Sequence, residues 1–408
     1  MSKRSRKILN YTIIVAALGY FVDIYDLLLF GIIRVPSLKS LGLDENQIKI
    51  VGENILMWQM IGLLIGGIIW GVMGDKKGRL SVLFGSILLY SLANLANGFV
   101  QNVEQYKWIR FFAGIGLAGE LGAGITLVSE LVSKEKRGLI TSLVAGLGLT
   151  GAVVAFIFKQ NFDWRTCYFI GGGMGIVLLM LRIVVFESEM FNLIKKKYVK
   201  RGDFLMLFTD KNRFKRYLLN ILIGLPTWLC IGVFVTFSKE FGEAMHMKDK
   251  IDPGKSIMYA YIAISIGDIL AGVVSQVLKS RKKALLIYYL ITCIFIALYF
   301  TILEGGSANQ MYFICAGIGL GTGFWAIFVT MAAEQFGTNM RATATTTIPN
   351  MVRGMLAVFI IPLFRELQNY FSYLQSGWIL AIIIMFISTI AVLLIEETFN
   401  KNLDFVEN

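Results

Sequence analysis

The stretch GGIIWGVMGDKKGR, residues 66–79, decides how the rest of the chain is read. An apolar helix punctuated by Gly67, Gly71 and Gly74 runs directly into Asp75, two lysines, Gly78 and Arg79. A second apolar run, LSVLFGSILLY, begins at once. Glycines at this spacing let a neighbouring helix approach closely. Asp75 and Arg79 are placed to bond helix ends across the turn. A merely solvated turn would also be charged, but the order Gly-x-x-x-Gly-x-x-Gly-Asp-x-x-Gly-Arg is more complete than solvation requires.

Of 408 residues, 56% are hydrophobic and only 16% are charged, well below the roughly 25% charged of a soluble domain. The apolar residues fall into blocks of about 20, the length that crosses a bilayer as helix. The blocks lie at 9–33, 50–74, 80–100, 106–131, 138–158, 166–186, 214–237, 256–278, 283–303, 311–333, 343–364 and 373–396, and they predict an all-α, multi-pass membrane protein. The first run is too long for a cleavable signal, carries two aspartates and lacks a small-residue cleavage site.

The net charge of +12 is not gathered into a nucleic-acid patch. Basic residues concentrate at the amino terminus (Lys3, Arg4, Arg6, Lys7) and in alternate loops, at 76–79, 134–137, 195–216 and 279–283. Among the intervening loops only 239–255 holds several. This asymmetry puts both termini in the cytoplasm of a cell (inner) membrane. Cys167, Cys230, Cys293 and Cys315 lie in or beside spans without metal-type spacing, so no metal or cofactor is expected. His246 falls in an external loop, which excludes a buried histidine relay. No nucleophile–base pair lies at membrane depth, and an enzyme is not expected.

The hydrophilic segment from Glu187 to Arg216, with KKKYVKRGD and TDKNRFKR, separates six spans from six. The expected division is a first domain at 1–186, a linker at 187–213 lying partly on the membrane surface, and a second domain at 214–408. The halves repeat. GIGLAGELGAGITLVSE ends at Glu130 and is followed by Arg137; GIGLGTGFWAIFVTMAAE ends at Glu334 and is followed by Arg341. The offset of roughly 204 residues suits parallel transporter repeats. At that offset LKSRKK falls on GDKKGR, with no acidic counterpart to Asp75.

The 66–79 turn, taken with this repeat, resembles the loop between helices 2 and 3 of the major facilitator superfamily, and the resemblance covers almost the whole chain. It implies twelve helices in two six-helix bundles that rock about a central cavity, with a small-molecule substrate and monomeric function. It also implies a cytoplasmic gate that latches the outward-open state. Its members would be Asp75, Arg79, Glu130 and Arg137 in the first half, and Lys283, Glu334 and Arg341 in the second.

A charge at bilayer depth costs at least about 2.5–3.5 kcal/mol, so each one is a functional candidate. Asp23 and Asp26 lie on one face of span one, in ALGYFVDIYDLLLFG, roughly 21 and 25 Å along the helix. An external vestibule could wet that face. Glu120 lies among small residues in GLAGELGAG, about 20 Å from the external end of span four. Arg110, on the same span, is too far away to pair with it. Arg353 stands roughly 16 Å into span eleven, after Pro349 and Asn350. It either binds an anionic group or compensates a facing carboxylate. Asp268, in ISIGDILAG, is a further candidate. Arg110 and Arg182 lie nearer helix ends, where snorkelling is expected. Tyr20, Tyr25, Trp228 and Trp325 either line a cavity or pack.

Within the superfamily, the D-I-Y-D of span one and the Gly119-Glu120 of span four resemble the metabolite:proton and phosphate:proton symporters. The I-P-N-M-V-R of span eleven is similar to the Asn-x-x-Arg of metabolite symporters. The resemblance implies proton handling by Glu120, Asp23 and Asp26, and substrate contact through Asn350 and Arg353. Drug antiporters are disfavoured, because GLGLTG at 146–151 lacks their proline. The expected activity is proton-coupled uptake of a small polar metabolite: an organic acid, amino acid or zwitterion. Glu120 would take the proton, Asp23 would share it or touch the substrate, and Arg353 would hold a carboxylate or phosphate. Proton-driven efflux of an organic compound or cation is the alternative.

Overall fold

A computed structural model describes residues 3–133, 136–184 and 201–407. Residues 134–135 of one basic loop, and the expected linker as far as residue 200, lie outside the described residues. Among the described residues, twelve helices are long and apolar enough to span a bilayer. They are α1 Tyr11–Ser40, α2 Glu45–Lys77, α3 Arg79–Asn97, α4 Val103–Leu131, α5 Arg137–Asn161 and α6 Trp164–Leu181. The second half supplies α7 Lys211–Val235, α8 Pro253–Val277, α9 Arg281–Ile302, α10 Ala308–Gln335, α11 Arg341–Leu367 and α12 Tyr373–Leu394. Residues 211–213, expected in the linker, already belong to α7. An even number of crossings puts both ends of the chain on one face of the molecule, here called the termini face; the other is the far face.

Local chemistry sets the boundaries. Asp44 and Gln47 form a capping box at the start of α2, and Ser372 and Gln375 form one at α12. Asn102 and Asp163 cap α4 and α6 through backbone N–H groups. The α2–α3 turn passes through Gly78 at φ 106°, a left-handed conformation that disfavours any side chain.

Small residues fix the packing. Within the first bundle, a Cβ on Gly62 or Gly66 would meet the carbonyl oxygens of Phe111 and Ile115, so α2 and α4 touch backbone to backbone. Gly67, Gly71 and Gly74 face α11 of the second bundle instead. A Cβ on Gly71 would lie 3.1 Å from both the Cα and the carbonyl oxygen of Thr343. Gly71→Leu should therefore wedge the bundles apart on the termini face, at about 1–3 kcal/mol for overpacking. A lower melting temperature of the purified protein would show it, and an unchanged one would refute it.

Five of the described spans are interrupted within their length; α5 breaks at Thr150, between Leu149 and Gly151. Helix α4 breaks between Leu117 and Glu120, and α10 between Thr322 and Trp325. Helix α7 loosens into a π segment at Cys230–Val235, just after Pro226, and α11 does so at Leu356–Ile360, after Pro349. Irregular backbone at this depth is tolerated where it is buried in protein or lines a cavity, and π segments often mark functional sites.

Candidate functional site

The interruptions surround a cavity of about 20 Å³ between the bundles, lined by Tyr20, Ile24, Trp228, Tyr261, Trp325 and Arg353, among others. That is room for about one water. The Arg353 guanidinium sits 5.8 Å from the ring centroids of both Trp228 and Trp325, within cation–π range. One nitrogen donates to Asn350 Oδ1 at 3.3 Å, while Nε, buried, has no partner. The indole N–H of Trp325 is likewise buried without an acceptor.

The buried acids differ from one another. Asp23 is 0% exposed, and neither carboxylate oxygen has a hydrogen-bond partner. Among charged groups, Arg353 acts on it most strongly. Asp26 is held by Arg110, which donates to its carboxylate at 2.8 Å and to its backbone carbonyl at 3.1 Å, and to Gln59 at 3.2 Å. Glu120 is held by Arg182 through both guanidinium nitrogens, one at 3.0 Å. Gly19 of α1 lies directly over this pair, where a Cβ would collide with both side chains.

The buried pairs overturn one expectation. Arg110 and Arg182 do not snorkel, because each is fully buried against a carboxylate on another span. Glu120 is paired, whereas among the described residues Asp23 has neither an ion pair nor a hydrogen bond at its carboxylate. Asp268 has a structural duty, since its carboxylate accepts the N–H of Ala326 at 2.9 Å and so caps the inner segment of α10 at its break. Asn350 is also engaged, donating to the carbonyls of Ala118 at 2.7 Å and Thr346 at 2.8 Å. It ties α11 to the α4 break and leaves its oxygen to Arg353. Tyr261 and Thr227, which line the cavity, carried no signal that separated them from other spans' polar residues.

The termini face is closed by charge. Asp75 accepts the backbone N–H groups of Ala342 (3.1 Å) and Thr343 (2.7 Å) and the Thr343 hydroxyl (2.7 Å), so a carboxylate of α2 caps α11. Glu130 accepts from Arg79 at 2.8 Å and from Arg341 at 3.0 Å. Glu334 accepts from Arg137 at 3.4 Å and from Arg281 at 3.1 Å. The second-half base at Glu334 is thus Arg281, not Lys283. Residues 397–407 fold back over this layer. Arg137 donates to the carbonyl of Lys401 at 3.3 Å, Thr338 N–H to that of Phe405 at 2.9 Å, and Arg216 to both Glu407 oxygens at 3.2 Å. Leu403 is fully buried beneath them. Desolvation works against the charge of Glu397, but bonds from the Ser280 hydroxyl and nearby backbone N–H groups hold its carboxyl below the usual range.

The far face is bridged as well. Glu53 of α2 meets Arg365 of α11, and Lys159 of α5 meets Asp252 before α8 at 2.9 Å. These two pairs occupy related places in the two halves, with the acid on α2 or just before α8 and the base on α11 or α5. A third pair, Arg34 of α1 with Glu240 at 3.1 Å, has no mate and is nearly buried.

Residues 16–362 match the Major Facilitator Superfamily. The chain belongs to that family. It is therefore a multi-pass membrane protein of a transporter family, not an enzyme. The chain is similar to the niacin transporter NiaP of Acinetobacter baylyi, at 24% identity over 97% of this chain and 96% of that one. It is also similar to the gentisate transporter of Corynebacterium glutamicum, at 23% identity over 80% and 75% of the two chains. Among solved structures, the proton:xylose symporter XylE, bound to 6-bromo-6-deoxy-D-glucose, superposes with a TM-score of 0.78. That likeness covers 98% of each chain at 16% identity, so it concerns the fold alone.

Proposed function

We propose that this superfamily member imports a small organic acid together with a proton, by alternating access, and that its substrate is a flat aromatic or heteroaromatic carboxylate. The observation that carries the reading is the contrast among the buried charges. Asp26 and Glu120 each hold an arginine, while Asp23 has no partner and Arg353 keeps a free edge among aromatic rings. A guanidinium favours a carboxylate bound through two parallel hydrogen bonds. Trp228, Trp325, Tyr20 and Tyr261 would flank the ring. With the substrate on Arg353, the site holds one positive and two negative charges. One proton on Asp23 makes it neutral, the form that reorients in a bilayer at least cost. Glu120 would be a second proton station, reached when its pair with Arg182 opens, and Asp26 would hold α1 in place. The relatives named for niacin and gentisate support a ring-bearing acid.

In this reading the termini face, with its basic loops, is cytoplasmic, the membrane is the cell (inner) membrane, and the monomer is the working unit. The test is uptake of radiolabelled nicotinate, benzoate and gentisate into proteoliposomes, with the outside made acidic. At least one acid should accumulate, and a protonophore should abolish the accumulation. Arg353→Gln should weaken apparent affinity by about 10–100-fold, the equivalent of the roughly 1.5–3 kcal/mol of hydrogen bonds to a charged group. Gradient-driven loss from preloaded vesicles without uptake would make the protein an exporter and overturn the reading.

A further inference from the structure

The Arg34–Glu240 pair bridges the two bundles beside a second, larger cavity. That cavity, of about 520 Å³, opens on the far face and is large enough for a small metabolite. Lys39, Lys159, Lys239, Lys248 and Lys250 contribute to its wall. Its carboxylates are already engaged. Glu45 meets Lys39, Glu243 meets Lys239, Asp252 meets Lys159, and Asp249 accepts the N–H of Ala308. Lys248 and Lys250 are exposed and make no ion pair among the described residues. Five lysines against four carboxylates leave the vestibule lining one positive charge in excess, which favours anions.

Four of the vestibule residues, Val35, Lys39, Glu45 and Lys239, also line a small cleft that reaches Arg34 and Glu240. The pair there is incomplete. The side chains are 4% and 11% exposed, yet only one nitrogen of Arg34 touches one oxygen of Glu240. Arg34 Nε and Nη1 and Glu240 Oε2 are buried without partners. The guanidinium also lies 5.0 Å from the Phe237 ring centroid. A two-point carboxylate complex is thus possible at Arg34, and Glu240 does not make it. Glu240 follows the π segment at Cys230–Val235, where the backbone departs from regular α-helix.

We propose that Arg34 is an outer capture site for the carboxylate of the substrate, and that the incoming acid opens the far face by displacing Glu240 from it. The proposal rests on the reading of the substrate as an organic acid. The lysine-rich vestibule gathers the anion, and Arg34 exchanges a one-point contact for a two-point one. Glu240 is released with α7 toward solvent, and the way to Arg353 is open. A neutral analogue of the same shape cannot make this exchange.

An Ile24→Cys reporter in the central cavity tests it, labelled from the far face by a membrane-impermeant maleimide and read by mass spectrometry of its peptide. Glu240→Gln should raise the unliganded labelling rate several-fold, and so should the charge-balanced double variant Arg34→Gln/Glu240→Gln, which leaves no unpaired buried charge to compromise folding. In the reporter alone, nicotinate should raise the rate and nicotinamide should not. In the double variant, nicotinate should have no further effect. An unchanged rate in both variants would overturn the gate. Equal responses to nicotinate and nicotinamide, or to neither, would overturn capture by charge. Failure of the substrate reading is separate, because it appears as absent uptake and an unaltered affinity in Arg353→Gln.

Discussion

Asp23→Asn is expected to abolish uphill accumulation while leaving substrate exchange across the membrane intact. With one proton per substrate, each unit of pH difference supports about tenfold accumulation, since a pH unit is worth about 1.36 kcal/mol. A residue that binds the coupling proton is needed for that gain and not for the rocking motion itself. Asparagine mimics the protonated carboxyl in shape and charge, so the carrier can still reorient with its cargo. Asp23 suits the role because it is buried and unpartnered, with Arg353 as the strongest neighbouring charge. Counterflow and gradient-driven uptake, measured on the same proteoliposomes, separate the two activities. Accumulation that survives in Asp23→Asn but fails in Glu120→Gln would return the proton to Glu120. Loss of both activities in Asp23→Asn would mean that the residue holds substrate or structure.

Glu334→Gln should have the largest effect on the balance of states. Its carboxylate is shared by Arg137 and Arg281, which are 3% and 0% exposed and come from opposite bundles, and it also accepts the Thr398 hydroxyl. Breaking a buried ion pair from one side costs about 3–5 kcal/mol, because charge is left behind without compensation. Inverting a 1:99 equilibrium takes about 5.5 kcal/mol, so one substitution can supply much of that change. The expectation is a protein that rests open on the termini face. A Thr345→Cys reporter checks it, since Thr345 is fully buried and bonds Thr126 of the other bundle at 2.6 Å. Its labelling from the termini face should rise by more than tenfold. The second substitution Arg137→Gln, which removes one of the two charges that Glu334 balances, should partly restore protection. A labelling rate equal to that of the parent would show that Glu334 does not latch this face.

Twelve spans and a two-bundle fold could be read from the chain because block length and composition depend on the bilayer, not on tertiary detail. Charge partners could not. Arg182 stands 62 positions from Glu120 and next to a helix end, where a local reading favours snorkelling; only the packing of α6 against α1 and α3 turns it inward. Asp268 looked like any intramembrane acid, because a cap on another span leaves no mark in the local sequence. The exchange of Lys283 for Arg281 follows from the cap at Ser280, whose hydroxyl accepts the Lys283 N–H and starts α9 so that Arg281 faces the layer. The last segment reads as a polar end, since only one apolar side chain, Leu403, anchors it completely.

That last segment also bears on biogenesis. Residues 397–407 bond to Arg137 in the first bundle and to Arg216, Thr338 and Asn339 in the second. Both bundles must be inserted and brought together before this segment has a surface to bind. Sealing of the termini face therefore waits on the assembly of both bundles, and a chain lacking residues 398–407 would keep its twelve described spans with an unfinished lock.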